Sequence, residues 1–141
     1  MLLLDTNVVS EVMRPQPSPS VVAWLAEQLP EHLHLSTITI AEIHFGLALL
    51  DDADRRADLV RRFERFVLDG FASRIIVFDQ AAAVAYGAIA AGRRRAGHPI
   101  AVPDAQIAAI ARTQRLTLAT RNTRDFGDLE LDLLDPFDLQ P

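Results

Sequence analysis

Short apolar runs at Leu2–Leu4, Leu33–Ser36, Ile75–Phe78, Leu116–Ala119 and Leu131–Leu134 alternate with longer stretches of helical periodicity. That alternation is the strongest constraint on the fold. The first run is uniformly apolar and reads as a strand buried on both faces, as in parallel sheets covered by helices. Strands alternating with helices give an α/β fold with a central, mainly parallel sheet of four to five strands. A chain of 141 residues suits a single domain over positions 1–141 and buries a substantial core. It carries no internal repeat, low-complexity tract or linker.

The helical stretches have readable ends. Thr6 or Asn7 can cap a short helix through Val8, Val9 and Val12 that must stop before Pro15. Ser18-Pro19 opens a second helix through Trp24 and Leu29, which Pro30 stops. Ser36, Thr37 and Thr39 offer caps for a helix carrying Ile40, Ile43, Leu47 and Leu50. After the break at 51–54 comes an amphipathic helix, with Phe63 and Phe66 on one side, Arg61, Arg62 and Arg65 on the other, and Gly70 as its expected C-cap. The Ala-rich run from Asp79 to about Arg95 closes at Gly97, and Pro103 opens a helix from Asp104 to Arg115. Arg121 to Gly127 reads as an irregular turn.

Four acids fall at element ends in this frame. Asp5 terminates the first strand, Glu42 lies in the opening turns of the helix after the second, Asp104 starts the helix feeding the fourth, and Asp125 follows that fourth strand. Ligands in open α/β sheets bind beyond the carboxyl ends of the strands. Asp104 belongs there only if the preceding helix returns and the 96–102 loop carries the chain over that edge. Singly, each acid has a plainer role, such as a favourable charge at a helix N-terminus or a turn residue. Together they would repel by roughly 4 kcal/mol per pair at 4 Å and an effective dielectric of 20. A cluster of this kind persists with raised pKa values or with bound cations. Oxygen ligands without sulfur select Mg²⁺ or Mn²⁺, and such an ion can activate water against a phosphodiester.

Composition narrows the chemistry. The chain has no Cys, which excludes disulfides, thiol nucleophiles and Cys-based zinc sites. All 14 basic residues are Arg, so no step can use a lysine ammonium group. A formal net charge of −5 argues against a binder that relies on bulk attraction to phosphate. The four histidines show no ligand spacing.

The segments Leu3-Leu-Asp5-Thr-Asn-Val-Val-Ser-Glu11, Ser36-Thr-Ile-Thr-Ile-Ala-Glu42-Ile, Pro103-Asp104-Ala-Gln-Ile-Ala-Ala and Ala119-Thr-Arg-Asn-Thr-Arg-Asp125-Phe closely resemble those of PIN-domain ribonucleases, most nearly the bacterial VapC/FitB-type toxins. The resemblance runs through essentially the whole chain, in order. It implies Mg²⁺- or Mn²⁺-dependent cleavage of RNA by a water activated within the acidic cluster. Asp5, Glu42 and Asp104 match three core acidic positions. Many members place a fourth Asp where this chain has Asn122; Asp125 is the alternative, and Asn122 can assist through its carbonyl oxygen. Thr6 and Thr120 match small hydroxyl positions beside the metal, Asn7 a neighbouring polar one, and Glu11 a position of structural character. The resemblance further implies a homodimer and a cognate antitoxin whose basic side chain enters the acidic groove.

Arg93, Arg94 and Arg95 close a helix C-terminus, where cations are favoured in any case; with Arg121 and Arg124 they are also candidate contacts to RNA backbone. The N-terminal apolar run is too short for a signal-peptide core and no stretch approaches a membrane span, so the expected location is the cytoplasm. Two other readings exist. One is a non-catalytic acidic module for a basic protein partner. The other is an aspartyl-phosphate phosphotransferase built on Asp5, which the absence of Lys and the Asn at position 7 disfavour.

Overall fold

The computed structural model describes residues 1–139; the last two positions of the expected 1–141 domain lie outside the described residues. The elements are β1 (Leu2–Leu4), α1 (Thr6–Val12), α2 (Pro19–Glu27), a 3₁₀ turn (Pro30–His32), β2 (Leu33–Ser36), α3 (Thr37–Ala48) and α4 (Ala53–Phe71), followed by β3 (Ile75–Ile76), α5 (Gln80–Arg95), α6 (Val102–Gln114), β4 (Thr117–Ala119), α7 (Thr123–Phe126) and β5 (Leu133–Leu134). The sheet order is β3-β2-β1-β4-β5, and every pairing is parallel. The expected α/β fold is therefore present, with an all-parallel sheet.

This order creates one topological switch point. From β1 the chain builds outward through β2 and β3, then returns to lay β4 on the other side of β1. The crevice at the carboxyl ends of β1 and β4 is where such sheets take ligands. Asp5 ends β1 there and Thr120 ends β4, and the Asp5 amide donates to the Ala119 carbonyl at 2.9 Å.

Strand alternation feeds two cores, one on each face. Leu3 and Leu118 pack with Ile89, Ile107, Ile110 and Phe126 under α5 and α6. Leu4, Leu35 and Ala119 pack with Val8, Val21, Trp24, Phe63 and Phe71 under α1, α2 and α4. Along α6, Ala105 and every residue from Ile107 to Ala111 are buried, which fixes Asp104 at the end of a rigidly packed helix.

Several boundaries differ from expectation for identifiable reasons. Asp5 itself, not Thr6 or Asn7, caps α1: its side chain accepts from the Thr6 amide. The second helix ends at Glu27 because Gln28 turns to extended backbone, short of Leu29. Gly70 lies inside α4, which continues until Phe71 reaches the core. The third and fifth strands are cut to two residues each, and the 121–127 turn contains α7. Gly97 stands at φ +79°, the left-handed conformation expected just past a helix end.

The path to Asp104 depends most on tertiary structure. The Phe78 amide, just before α5, donates to Thr37 Oγ1 at 3.3 Å. At the other end of the helix, Arg93 donates to the Asp125 carbonyl at 2.7 Å. Thr37 follows β2 and Asp125 follows β4, so both ends of α5 are tied to the carboxyl edge of the sheet. The following loop therefore starts α6 at that same edge.

Candidate active site

Asp5 is only 3% exposed, and both its carboxylate oxygens are engaged. Oδ1 accepts from the Thr6 amide at 2.8 Å and Oδ2 from Thr120 Oγ1 at 2.7 Å. Thr120 is fully buried and accepts in turn from Asn7 Nδ2 and the Asn122 amide, at 3.3 and 3.0 Å. Asn7 Oδ1 then takes the Arg121 amide at 3.2 Å. The strand-end acid is thus locked by α1 on one side and by the β4–α7 loop on the other.

Glu42 is held from a different direction. Thr6 Oγ1 donates to Glu42 Oε1 at 2.7 Å and lies 3.1 Å from Thr39 Oγ1. Since the single Thr6 proton goes to Glu42, Thr39 is the donor in the second contact. Ser36 Oγ donates to Thr39 Oγ1 at 3.4 Å and also accepts the Thr39 amide at 3.1 Å as the α3 cap. The result is a line of hydroxyls, Ser36 to Thr39 to Thr6, ending on Glu42. Chains of this kind polarise along their length.

Asp5, Glu42 and Asp104 line one concavity of about 510 Å³, together with Thr6, Asn7 and Asn122. Their electrostatics show the crowding. Burial and the neighbouring charges of Asp5, Glu42 and Asp125 push the Asp104 carboxyl up to about 6. Burial raises Asp5 as well; the Thr120 and Thr6 bonds oppose it, and the Glu42 charge adds to it. Crowded acids with raised pKa values, at a switch point, mark a functional centre more than a structural one.

The fourth acidic position divides between two residues. Asn122 lines the concavity. Asp125 lies outside that lining, exposed in α7, yet close enough for its charge to act on Asp104. As for a metal, the donor chemistry fits: carboxylate, hydroxyl and amide oxygens, no sulfur, and excess negative charge. The fit lies in chemistry and charge and not in a closed shell, since no three acidic or histidine side chains converge on one ion-sized point among the described residues.

The arginines separate clearly. Arg93 is spoken for: Nε donates to the His98 carbonyl at 2.8 Å, and Nη1 to the Asp125 carbonyl at 2.7 Å and to Asp128 Oδ1 at 3.0 Å. Its side chain is 12% exposed. Arg94, Arg95 and Arg124 are exposed and off the concavity, whereas Arg121 lines it. Arg93→Ala would release both the loop before Asp104 and the segment holding Asp125. We expect it to lower stability by about 1–2 kcal/mol, seen as a fall of a few degrees in a circular-dichroism melt. Arg93→Lys restores only part, because one ammonium cannot reproduce the fork.

Two features of the site escape a reading of the motifs. Arg14 and Ser10 also line the concavity, beside Glu11. The signal for Ser10 is helical spacing, since positions 7, 10 and 11 fall on one face of α1, while Arg14 stands two residues past the end of that helix. Glu11 Oε1 accepts the Ser18 amide at 2.9 Å and Oε2 accepts Arg14 Nη1 at 3.1 Å. Burial raises the Glu11 carboxyl, but Ser18, Arg14 and Arg121 outweigh it and hold the pKa below its ordinary value. The second feature is an apolar groove of about 540 Å³ lined by Met13, Ile43, Leu47, Leu59 and Phe63, which meets the acidic concavity at Thr6, Arg14 and Glu42.

The PIN domain family model matches residues 2–130. The chain belongs to the PIN-domain family. Among its PIN-domain relatives, Toxin FitB of Neisseria gonorrhoeae is 42% identical over 97% of this chain and 99% of its own length. A VapC ribonuclease of Sinorhizobium fredii is 38% identical over 98% of this chain and 99% of its own. The crystal structure of FitAcB from Neisseria gonorrhoeae superposes with a TM-score of 0.91 at 42% identity, covering 99% of this chain and all of that one. These relatives place the chain with the VapC/FitB toxins inside the PIN-domain family.

Proposed function

We propose that this PIN-domain chain is an endoribonuclease that cuts RNA with Mg²⁺ or Mn²⁺ and serves as the toxin of a toxin–antitoxin pair. The observation that carries the reading is the gathering of Asp5, Glu42 and Asp104 in one concavity at the switch point, where burial first and the neighbouring carboxylates second hold Asp104 at about 6. A divalent cation offsets both the burial of these carboxylates and their repulsion. Asp5, Glu42 and Asp104 would hold the ion, with Asn122 or Asp125 completing the set. When bound, it supplies charge neutralisation and an acidified water.

The chain's own residues set the stage for in-line hydrolysis. The water oxygen bonds to phosphorus while the bridging P–O bond to the leaving nucleoside breaks. Thr120 and the Thr6 amide fix the Asp5 carboxylate, and the Ser36–Thr39–Thr6 hydroxyls aim Glu42. Asp104 would be occupied as a ligand, so the proton given up by the acidified water passes to solvent at the open mouth of the concavity. Away from the cut, Arg94, Arg95 and Arg124 offer exposed contacts to a longer RNA.

The partner readings draw on other surfaces. The apolar groove beside the acids suits an amphipathic antitoxin segment whose basic residue reaches Glu42 and Asp5. Phe45 on α3, Leu49 just past its end and Val84 on α5 are 69%, 65% and 72% exposed, apolar side chains suited to contact with a second copy of this chain. No helix among the described residues is long and apolar enough to cross a membrane. A cytoplasmic site of action suits an RNA substrate.

Sequencing RNA ends after brief expression of wild type and of Asp5→Asn tests the function in cells. The expected result is a set of new ends at discrete positions in the wild type alone. Identical end profiles from both proteins would remove the nuclease and leave the acidic binding module.

A further inference from the structure

We propose that Arg14 and Arg121 form a seat for RNA backbone phosphate on the rim of the acidic concavity, with Glu11 bracing Arg14 and Phe137 propping Arg121. The inference rests on the reading of this concavity as the site of RNA cleavage, and it names the contacts that bring a polyanion to it. The difficulty for any such enzyme is charge. Asp5, Glu42, Asp104 and Glu11 all line the concavity, and RNA approaches only where fixed cations offset them. Among the described lining residues, Arg14 and Arg121 are the only two cations.

Each is held in place and still has donors to give. The Arg14 side chain is 64% exposed and uses Nη1 on Glu11. A guanidinium carries five N–H donors in a planar fork, so its remaining edge can take a phosphate. Arg121 has no acidic partner within salt-bridge distance among the described residues. Its guanidinium carbon instead lies 4.6 Å from the centre of the Phe137 ring, a cation–π prop. Its backbone amide is pinned by Asn7 Oδ1, and the same Asn7 side chain donates to Thr120, which locks Asp5. The seat is therefore coupled to the network that orients Asp5.

Glu11 is what holds Arg14. One of its carboxylate oxygens takes the Ser18 amide and the other is paired with the Arg14 guanidinium, a fixed positive charge that none of the other acids lining the concavity carries. Its near-buried carboxylate feels both Arg14 and Arg121. Arg93, by contrast, spends its donors on Asp125, Asp128 and His98 and has none directed to this rim.

Salt dependence distinguishes a phosphate contact from a packing role. The probe is a fluorescein-labelled single-stranded RNA dodecamer, bound to Asp5→Asn protein with Mg²⁺ and followed by anisotropy as NaCl rises. Adding Arg14→Gln or Arg121→Gln should weaken binding on the order of tenfold each, and each should flatten the log–log salt slope by about 0.7, the value for one phosphate left unneutralised on a single strand. Arg14→Lys and Arg121→Lys, which keep the charge, should recover the slope while recovering affinity only in part. Unchanged slopes in both Gln variants overturn the seat, even if affinity or melting temperature falls, because a purely structural role leaves the slope alone. Failure of the Asp5→Asn parent to bind the RNA at low salt overturns it as well. If the slopes shift as expected but wild-type protein cuts no RNA, the seat stands and the nuclease reading fails.

Discussion

Replacing Asp5 with Asn should reduce RNA cleavage by roughly 10²–10³-fold, the scale set by removing one centrally placed electrostatic group from an active site. The substitution is close to isosteric, and Asn can still accept the Thr6 amide, so the α1 cap survives. The Thr120 contact is where it fails. Thr120 Oγ1 already accepts from Asn7 and Asn122 and donates its one proton to Asp5 Oδ2. An amide nitrogen facing it leaves that proton without an acceptor, or forces Asn to flip and give up the cap. The stability cost is about 1–2 kcal/mol in either arrangement. Two opposing effects soften it: relief of desolvation at a buried carboxylate, and relief of repulsion from Glu42. Loss of activity with a melting temperature within a few degrees of wild type is therefore the expected pattern, measured by gel-based cleavage and thermal melts on the same preparation. A collapsed melt would mean that Asp5 acts chiefly as a structural cap.

Asp104→Asn should do two opposite things. In metal-free protein the folded carboxyl sits at about 6 against an ordinary value of 3.8. Between roughly pH 4 and 6 the folded state keeps a proton that the unfolded chain has released, so stability from this group is full below about pH 4 and lost as pH rises through 6. The full linkage is at most ~3 kcal/mol, and solvent around a half-buried group reduces it to about 1–2 kcal/mol. Asn cannot ionise and avoids that loss. In EDTA at pH 7.5, Asp104→Asn should melt a few degrees above wild type, while at pH 4 the two should converge. Mg²⁺ should then raise the wild-type melting temperature more than the variant's, because only the wild type keeps the full ligand set. Cleavage by the variant should fall by at least 10²-fold. In wild type, activity should decline as pH drops below 6, where a proton competes with the cation for Asp104. A variant that melts lower than wild type in EDTA at pH 7.5 would show that Asp104 is not under repulsion.

Much of this architecture is legible in the chain because the relevant signals are local. Leu2–Leu4 cut by Asp5, a hydroxyl cap for α3 and a proline in the first turn of α6 each depend on neighbours within a few residues: the strand lies where expected, Ser36 is the cap among the three candidates, and α6 starts at Val102, one residue ahead of Pro103. Asp5, Glu42 and Asp104 can be nominated on the same grounds. Non-local features are harder to see. That Asp104 shares a concavity with Asp5 depends on α5 being tied at both ends to one sheet edge, through Phe78–Thr37 and Arg93–Asp125 bonds between residues far apart in sequence. Arg93 reads as part of a basic run at a helix end, and only the folded chain shows its donors used by three internal acceptors. Arg14 escapes a motif reading for the converse reason: the motif ends on Glu11, and Arg14 lies past the end of α1, where only its bond to Glu11 brings it to the concavity. Gly70 misleads because glycine commonly ends helices, whereas here burial of Phe71 carries α4 one residue further.

The central claim is that the acidic concavity cuts RNA only when a divalent cation occupies it. Purified, antitoxin-free protein should be incubated with a panel of structured RNAs in EDTA, in Mg²⁺ and in Mn²⁺, beside Asp5→Asn in each buffer. The account predicts discrete cleavage by wild type in Mg²⁺ or Mn²⁺, none in EDTA, and none above background by the variant. Intact RNA in every wild-type reaction, from protein shown to be folded, or equal cleavage with and without the cation, would contradict it.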